Sequence, residues 1–173
     1  MSQIELSYED LKQEMIKEIQ KHEFGYLATS EGDFVRVGKM RLVSDGLTLW
    51  CFTDRRTRKY KQIMANPIVG IADGNLQIEG VASLRGHPLD EENAAFIKAY
   101  KETQPDNYER SMHVRKNLQR PDMRVIEVAL KRIALYTPGA NIAQSHFDIL
   151  NTVKEEAHRV KPLDLSEAPA YME

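Results

Sequence analysis

The chain has 173 residues, with 24 Lys plus Arg against 26 Asp plus Glu, and a formal net charge of -2; no global field draws it to nucleic acid or to an anionic membrane. A single cysteine, Cys51, excludes an internal disulfide and a multi-cysteine metal site. The N-terminus MSQIELSYED lacks the basic region and apolar stretch of a signal peptide, and no apolar run approaches the ~20 residues of a membrane span, which predicts a cytoplasmic protein with no membrane or nucleic-acid partner.

Ser7 opens a helix signal, with Asp10 three positions on and Leu11, Met15 and Ile19 forming one apolar face, so a helix is expected over 7–21. The period then changes. FGYLAT, FVRVGKMRLV and LTLWCFT are rich in aromatic and branched residues and are separated by the turn clusters SEGD and SDG, the pattern of three strands in a meander. Lys59 to Ala65 reads as a short helix stopped by Asn66-Pro67. PIVGIA and NLQIEGVASLR read as two further strands around Asp73-Gly74, with Gly80 marking a bulge or a close backbone approach. Asp90 can cap a helix carrying Phe96, Ala99 and Tyr100, and the polar stretch from Gln104 to Asp122 has room for another. MRVIEVAL and RIALYT supply the last strand material. Ser145 then caps a final helix over 145–160, with Phe147, Leu150, Val153, Ala157 and Val160 at helical spacing.

Consecutive strands joined by such short turns are antiparallel neighbours. The expectation is a mainly β fold with flanking helices, an antiparallel six-stranded barrel over about residues 24–137 in a single domain spanning 1–173. Cys51 shares a strand face with Leu49 and Thr53 and is expected in the core. Trp50 and Tyr26 are read the same way, and the scattered histidines, His22, His87, His113, His146 and His158, form no pair at metal-ligand spacing.

The stretch TDRRTRKYKQIMANPIVGI carries five cations, Arg55, Arg56, Arg58, Lys59 and Lys61, where a helix begins. A helix N-terminus already carries about half a positive charge, which disfavours each nearby cation by about 0.3–1 kcal/mol. A bound anion relieves that conflict by meeting the dipole, the free amides and the guanidinium forks together. A solvated basic face is the alternative.

The order LATSEGDFVRVGKM, DGLTLWCFT, RRTRKYKQIMANPIVGI and LQIEGVASL resembles the pyridoxamine 5'-phosphate oxidase-like family of FMN-binding split barrels, over about Phe24 to Arg85. The resemblance implies a split barrel that binds FMN and works as a homodimer. It places the FMN phosphate on Thr57, Arg58 and Lys59. It runs the strand from Arg36 through Val37 to Arg41 beside the flavin, with Arg36 toward the phosphate and Arg41 toward the ring, and it lines the flavin with Phe52, Thr53 and Asn75 or, one register on, Gln77. Lys39 stands where the family commonly has proline. An Arg-Leu-His-Asp-Arg-like substrate grip is missing between Met123 and Glu173, so vitamin B6 synthesis is not expected. The implied activity is an FMN-dependent oxidoreductase that passes electrons or hydride between a small-molecule donor and acceptor. A module that binds or senses a flavin, deazaflavin or haem without turnover is the alternative.

Overall fold

The computed structural model describes residues 8–136 and 144–148. An amphipathic helix, α1 (Tyr8–Gln20), leads into strands β1 (Phe24–Glu31), β2 (Phe34–Arg41), β3 (Val43–Asp45) and β4 (Thr48–Asp54). Helix α2 (Arg58–Ala65) precedes β5 (Ile68–Asp73) and β6 (Leu76–Leu84). After a 3-10 turn at Glu91–Asn93 come α3 (Ala94–Thr103), α4 (Pro105–Arg110) and α5 (Met112–Leu118), then the long β7 (Met123–Tyr136) and β8 (Gln144–Asp148). All the pairings are antiparallel, in the order β2-β1-β5-β6-β7-β4-β3, with β8 added to β7.

Sequence and structure differ at two strands. FVRVGKMRLV is not one straight strand: it bends at Leu42, whose N–H donates to the Glu23 carbonyl at 2.9 Å, so β2 pairs with β1 while β3 pairs with β4. This bend carries the chain from one end of the sheet to the other and curls it into a barrel. The second difference concerns the helix expected over 145–160. Its first residues lie in β8, and 149–160 fall outside the described residues. The reason is tertiary, because β4 covers β7 only from Met123 to Ala129, leaving an open edge that β8 fills from Arg132 to Tyr136. The path therefore has seven strands rather than six, plus β8.

The interior is filled from both directions. Leu11, Met15 and Ile19 of α1 pack with Leu27, Ile71 and Ile78 inside the curl. On the other side of β4, α3 and α5 bury Phe96, Tyr100, Val114 and Leu118 against Val43 and Trp50. Covered on both faces, β4 buries Leu49, Trp50 and Cys51 in succession rather than in alternation. Gly80 meets its expectation in both forms: the β6–β7 register shifts between Glu79 and Gly80, and a Cβ there would lie 3.0 Å from the Ala129 carbonyl oxygen.

Candidate functional site

β3 covers β4 only at Thr48–Trp50, so Phe52, Thr53 and Asp54 have no strand partner on that side among the described residues. β2 approaches β4 there without pairing to it. The seam holds a cavity of about 430 Å³. Its strand walls are Lys39, Met40 and Arg41 of β2 and Phe52, Thr53 and Asp54 of β4; Lys59 of α2 and Ser111, His113 and Asn117 of the α5 segment also line it.

Thr57 is the N-cap of α2 by backbone geometry, yet its hydroxyl makes no capping bond and instead lies 3.1 Å from the Thr53 hydroxyl. Lys59, the second residue of α2, extends across β2. Its Nζ lies 3.7 Å from where a Gly38 Cβ would stand and donates to Met40 Sδ at 2.8 Å, and a thioether is only a weak acceptor. Burial pushes the Lys59 ammonium below its ordinary pKa, and no carboxylate among the described residues pairs with it or with Arg58. Arg36 shares the strand face of Gly38 and Met40, the face that Lys59 crosses.

The five cations divide. Arg56 donates through N and Nε to Asp54 Oδ1, both at 2.9 Å, and through Nη2 to Asp54 Oδ2 at 2.6 Å. Arg55 Nε donates to Asp122 Oδ1 at 2.8 Å. These two arginines hold protein carboxylates, and the guanidinium of Arg56 keeps the Asp54 carboxyl well below the usual range. Arg58 and Lys61 are exposed and line neither cavity, so Lys59 is the one cation of the five that lines the seam.

Arg41 also lines the cavity, but its guanidinium is engaged. Nη1 donates to Gln104 Oε1 at 2.7 Å and to Glu23 Oε2 at 3.2 Å, and the group lies 4.3 Å above the Phe24 ring. The Asn107 amide, in the orientation that satisfies all its neighbours, accepts from Arg41 Nη2 at 2.9 Å. It is a cation locked in place on the cavity wall.

Of the residues proposed from sequence, Arg41, Phe52, Thr53 and Lys59 meet in this cavity, with Thr57 bonded to its edge. Asn75 lies exposed in the β5–β6 turn and lines neither this cavity nor the outer one. Val37 lines that second hollow, about 330 Å³ on the outside of the sheet, together with Gln77, Tyr26, Ala28 and Gly70. Tyr26 is thus half exposed rather than core, because Gly25, Leu27 and Thr29 take the inward positions of β1. Trp50 is buried and donates to Glu127 Oε2 at 3.2 Å, and burial pushes the Cys51 thiol up to about 12. Sequence reasoning missed Asp54 and the whole α5 wall, since nothing local to residues 111–120 signals that they fold against β2 and β4.

A curled antiparallel sheet with a cation-lined seam defines a split-barrel protein. The sequence profile of the pyridoxamine 5'-phosphate oxidase family matches residues 11–136, and the chain belongs to that family. Its fold is similar to that of a Listeria innocua protein provisionally named a pyridoxamine 5'-phosphate oxidase (23% identity, TM-score 0.55, covering 72% of this chain and 97% of that one). Campylobacter jejuni ChuZ is similar at 15% identity and a TM-score of 0.64, over 85% of this chain and 63% of that one. A heme binding protein from Mycobacterium smegmatis is similar at 13% identity and 0.58, over 83% and 59%. A comparison with curated proteins gives no significant sequence match.

Proposed function

We propose that the chain is an FMN-binding flavoprotein oxidoreductase of the pyridoxamine 5'-phosphate oxidase-like type, and that it is not an authentic pyridoxamine phosphate oxidase. The observation that carries the reading is Lys59, a half-buried ammonium at the seam cavity whose protein acceptor is a thioether. A phosphate fits this donor set. It would take hydrogen bonds from Lys59 and Arg58, from the Thr57 hydroxyl when that group accepts from Thr53, and from the first amides of α2. Arg36, on the same strand face, adds charge from the side.

The bound flavin supplies the hydride or electron chemistry. The chain's own residues bind and orient. The uncovered backbone edge of Phe52–Asp54 offers donors and acceptors inside the cavity. Arg41, immobilised by Gln104, Glu23 and Phe24, keeps a guanidinium on the wall, where it favours an occupant that becomes more negative on reduction. A second copy of the chain fits the outer hollow around Val37, in a homodimer.

The test compares FMN with riboflavin by titration calorimetry. FMN should bind far more tightly because the cations recognise phosphate, and equal affinities would overturn the clamp. Anaerobic addition of a reduced nicotinamide to the FMN-loaded protein should then bleach the flavin absorbance, and an acceptor should restore it. Binding without bleaching by any donor moves the protein to the non-catalytic reading, in which it stores or senses a flavin or deazaflavin. A haem reading draws on the neighbour named for heme binding and on the His113 imidazole at the cavity wall. An intense Soret band in the purified protein, in place of flavin absorbance, would select it.

A further inference from the structure

The sulfur atoms around the seam have no task in the phosphate clamp. Cys51 is wholly buried, and with its thiol pushed up to about 12 it carries no thiolate at neutral pH for an oxidant to attack. A thioether needs no such activation, because its sulfur lone pairs react as they stand. Met40 and Met123 both line the cavity, so a molecule of about the size of water can meet them there although little else of either side chain is exposed. Met40 is set apart by its neighbour. Lys59 Nζ donates to Met40 Sδ at 2.8 Å, and no other acceptor among the described residues takes a hydrogen from that ammonium.

A half-buried ammonium facing a weak acceptor gains from a stronger one. A sulfoxide supplies it, since its oxygen is a strong neutral acceptor one bond from the sulfur that Lys59 already contacts. We infer that Met40 is a redox modification site, where hydrogen peroxide converts the thioether to a sulfoxide whose oxygen takes the Lys59 hydrogen bond and withdraws that ammonium from the phosphate clamp. The step balances. A lone pair of Sδ attacks one peroxide oxygen and the O–O bond breaks; sulfur gives up two electrons, and the second oxygen leaves as water with both peroxide hydrogens. Lys59 Nζ stands close enough to hydrogen-bond the departing oxygen. Dioxygen and a reduced flavin yield the same oxidant, and methionine sulfoxide is reduced enzymatically, so the modification is reversible. The inference rests on the flavin reading for what the modification controls, but the chemistry at Met40 and Lys59 does not depend on it.

The test treats ligand-free wild type and Met40→Leu, a volume-conserving core change, with hydrogen peroxide until the exposed Met64 and Met112 are fully oxidised. Peptide mass mapping should find one added oxygen on Met40 of wild type. Trace acetylation with acetic anhydride then reads Lys59, an amine that burial keeps below its ordinary pKa and hence reactive. The sulfoxide should cut Lys59 acetylation severalfold, and the same treatment of Met40→Leu should leave it unchanged. FMN affinity should fall about tenfold in treated wild type, the loss of one charge-assisted contact, with no effect of peroxide on Met40→Leu. Met40→Gln, which puts an amide oxygen near the sulfoxide position, should show the weaker FMN binding without peroxide. A Met40 that stays unoxidised, or an oxidised Met40 that leaves Lys59 acetylation or FMN affinity unaltered, overturns the inference. If untreated protein takes up no FMN, the flavin reading fails by itself, and the mass map and Lys59 acetylation decide the Met40 site.

Discussion

Burying the Lys59 ammonium with only a thioether to receive it costs the ligand-free protein stability, which the proposed phosphate would restore. Lys59→Met should therefore act in opposite directions on binding and on folding. FMN dissociation should rise roughly ten- to hundredfold, the equivalent of one charge-assisted bond of about 1.5–3 kcal/mol, while the ligand-free variant melts higher than wild type, its new thioether lying beside Met40. The pH dependence has a defined sign. Burial holds the native Lys59 pKa below its unfolded value of about 10.4, so the unfolded chain binds more protons between the two, and the penalty fades as pH rises toward that value. Urea unfolding of both proteins from pH 7 to 10, without ligand, should show the variant's advantage shrinking. A constant gap would mean that the ammonium is not desolvated.

Two elements are tied together at the cavity rim by Asp54. The end of β4 and the loop before α2 are clasped to the α5–β7 connection, since Asp54 receives Arg56 and Arg120 while Asp122 receives Arg55. Exposed ion pairs contribute little, but the Asp54 side chain is only 13% exposed and Arg56 grips both of its oxygens. Its lowered pKa means that the contribution is present above the ordinary carboxylate value of about 3.9 and is lost as pH falls through the native value. Asp54→Asn should thus be clearly less stable than wild type at pH 7 in urea titrations and should converge with it in strong acid; a gap that persists there would assign the effect to packing. At the β6–β7 bulge, Gly80→Ala would drive a methyl to 2.5 Å from Val128 Cγ1 and 3.0 Å from a backbone carbonyl that cannot swing aside. A loss of about 1–3 kcal/mol is expected, as for other overpacked positions, and a neutral result would show that the bulge can slide.

Across the whole molecule, the unevenness of the surface is the property that bears on assembly. The outer face of β1 and β2 exposes Val35 (67%), Val37 (64%) and Tyr26 (49%) beside the hollow lined by Ala28 and Gly70. A contiguous apolar face of this kind is costly to leave in water, and a two-fold pair would cover it twice at once. Wild type should sediment as a dimer at micromolar concentration. Val37→Lys, a change at an exposed strand position, should sediment as a monomer with its circular dichroism intact and with weaker FMN binding if the site is shared. A dimer that survives the substitution would place the interface elsewhere.

Much of this was legible in the linear order of residues, because its signals are local. The alternation in β1, the four-residue period of Leu11, Met15 and Ile19, the stop at Asn66-Pro67 and the Thr57-Arg58-Lys59 step all act within a turn or a strand, where backbone geometry follows from neighbouring side chains. Strand identity failed where pairing, not propensity, decided: the stretch FVRVGKMRLV bends at Leu42 because β1 and β4 claim its two ends, and residues 144–148 extend because β7 offers an open edge. The same holds at the site. Five adjacent cations look alike in sequence, and only the fold brings up Asp122, sixty-seven residues from Arg55, to take one arginine while Asp54 takes the next. Only the fold sets Ser111, His113 and Arg120 around a cavity whose other walls come from β2 and β4. Local chemistry determined the elements and the phosphate-like cation step. Long-range packing decided which charges are spent inside the protein and which remain for a ligand, because a charge's free energy depends on its burial and its partner, and both are tertiary facts.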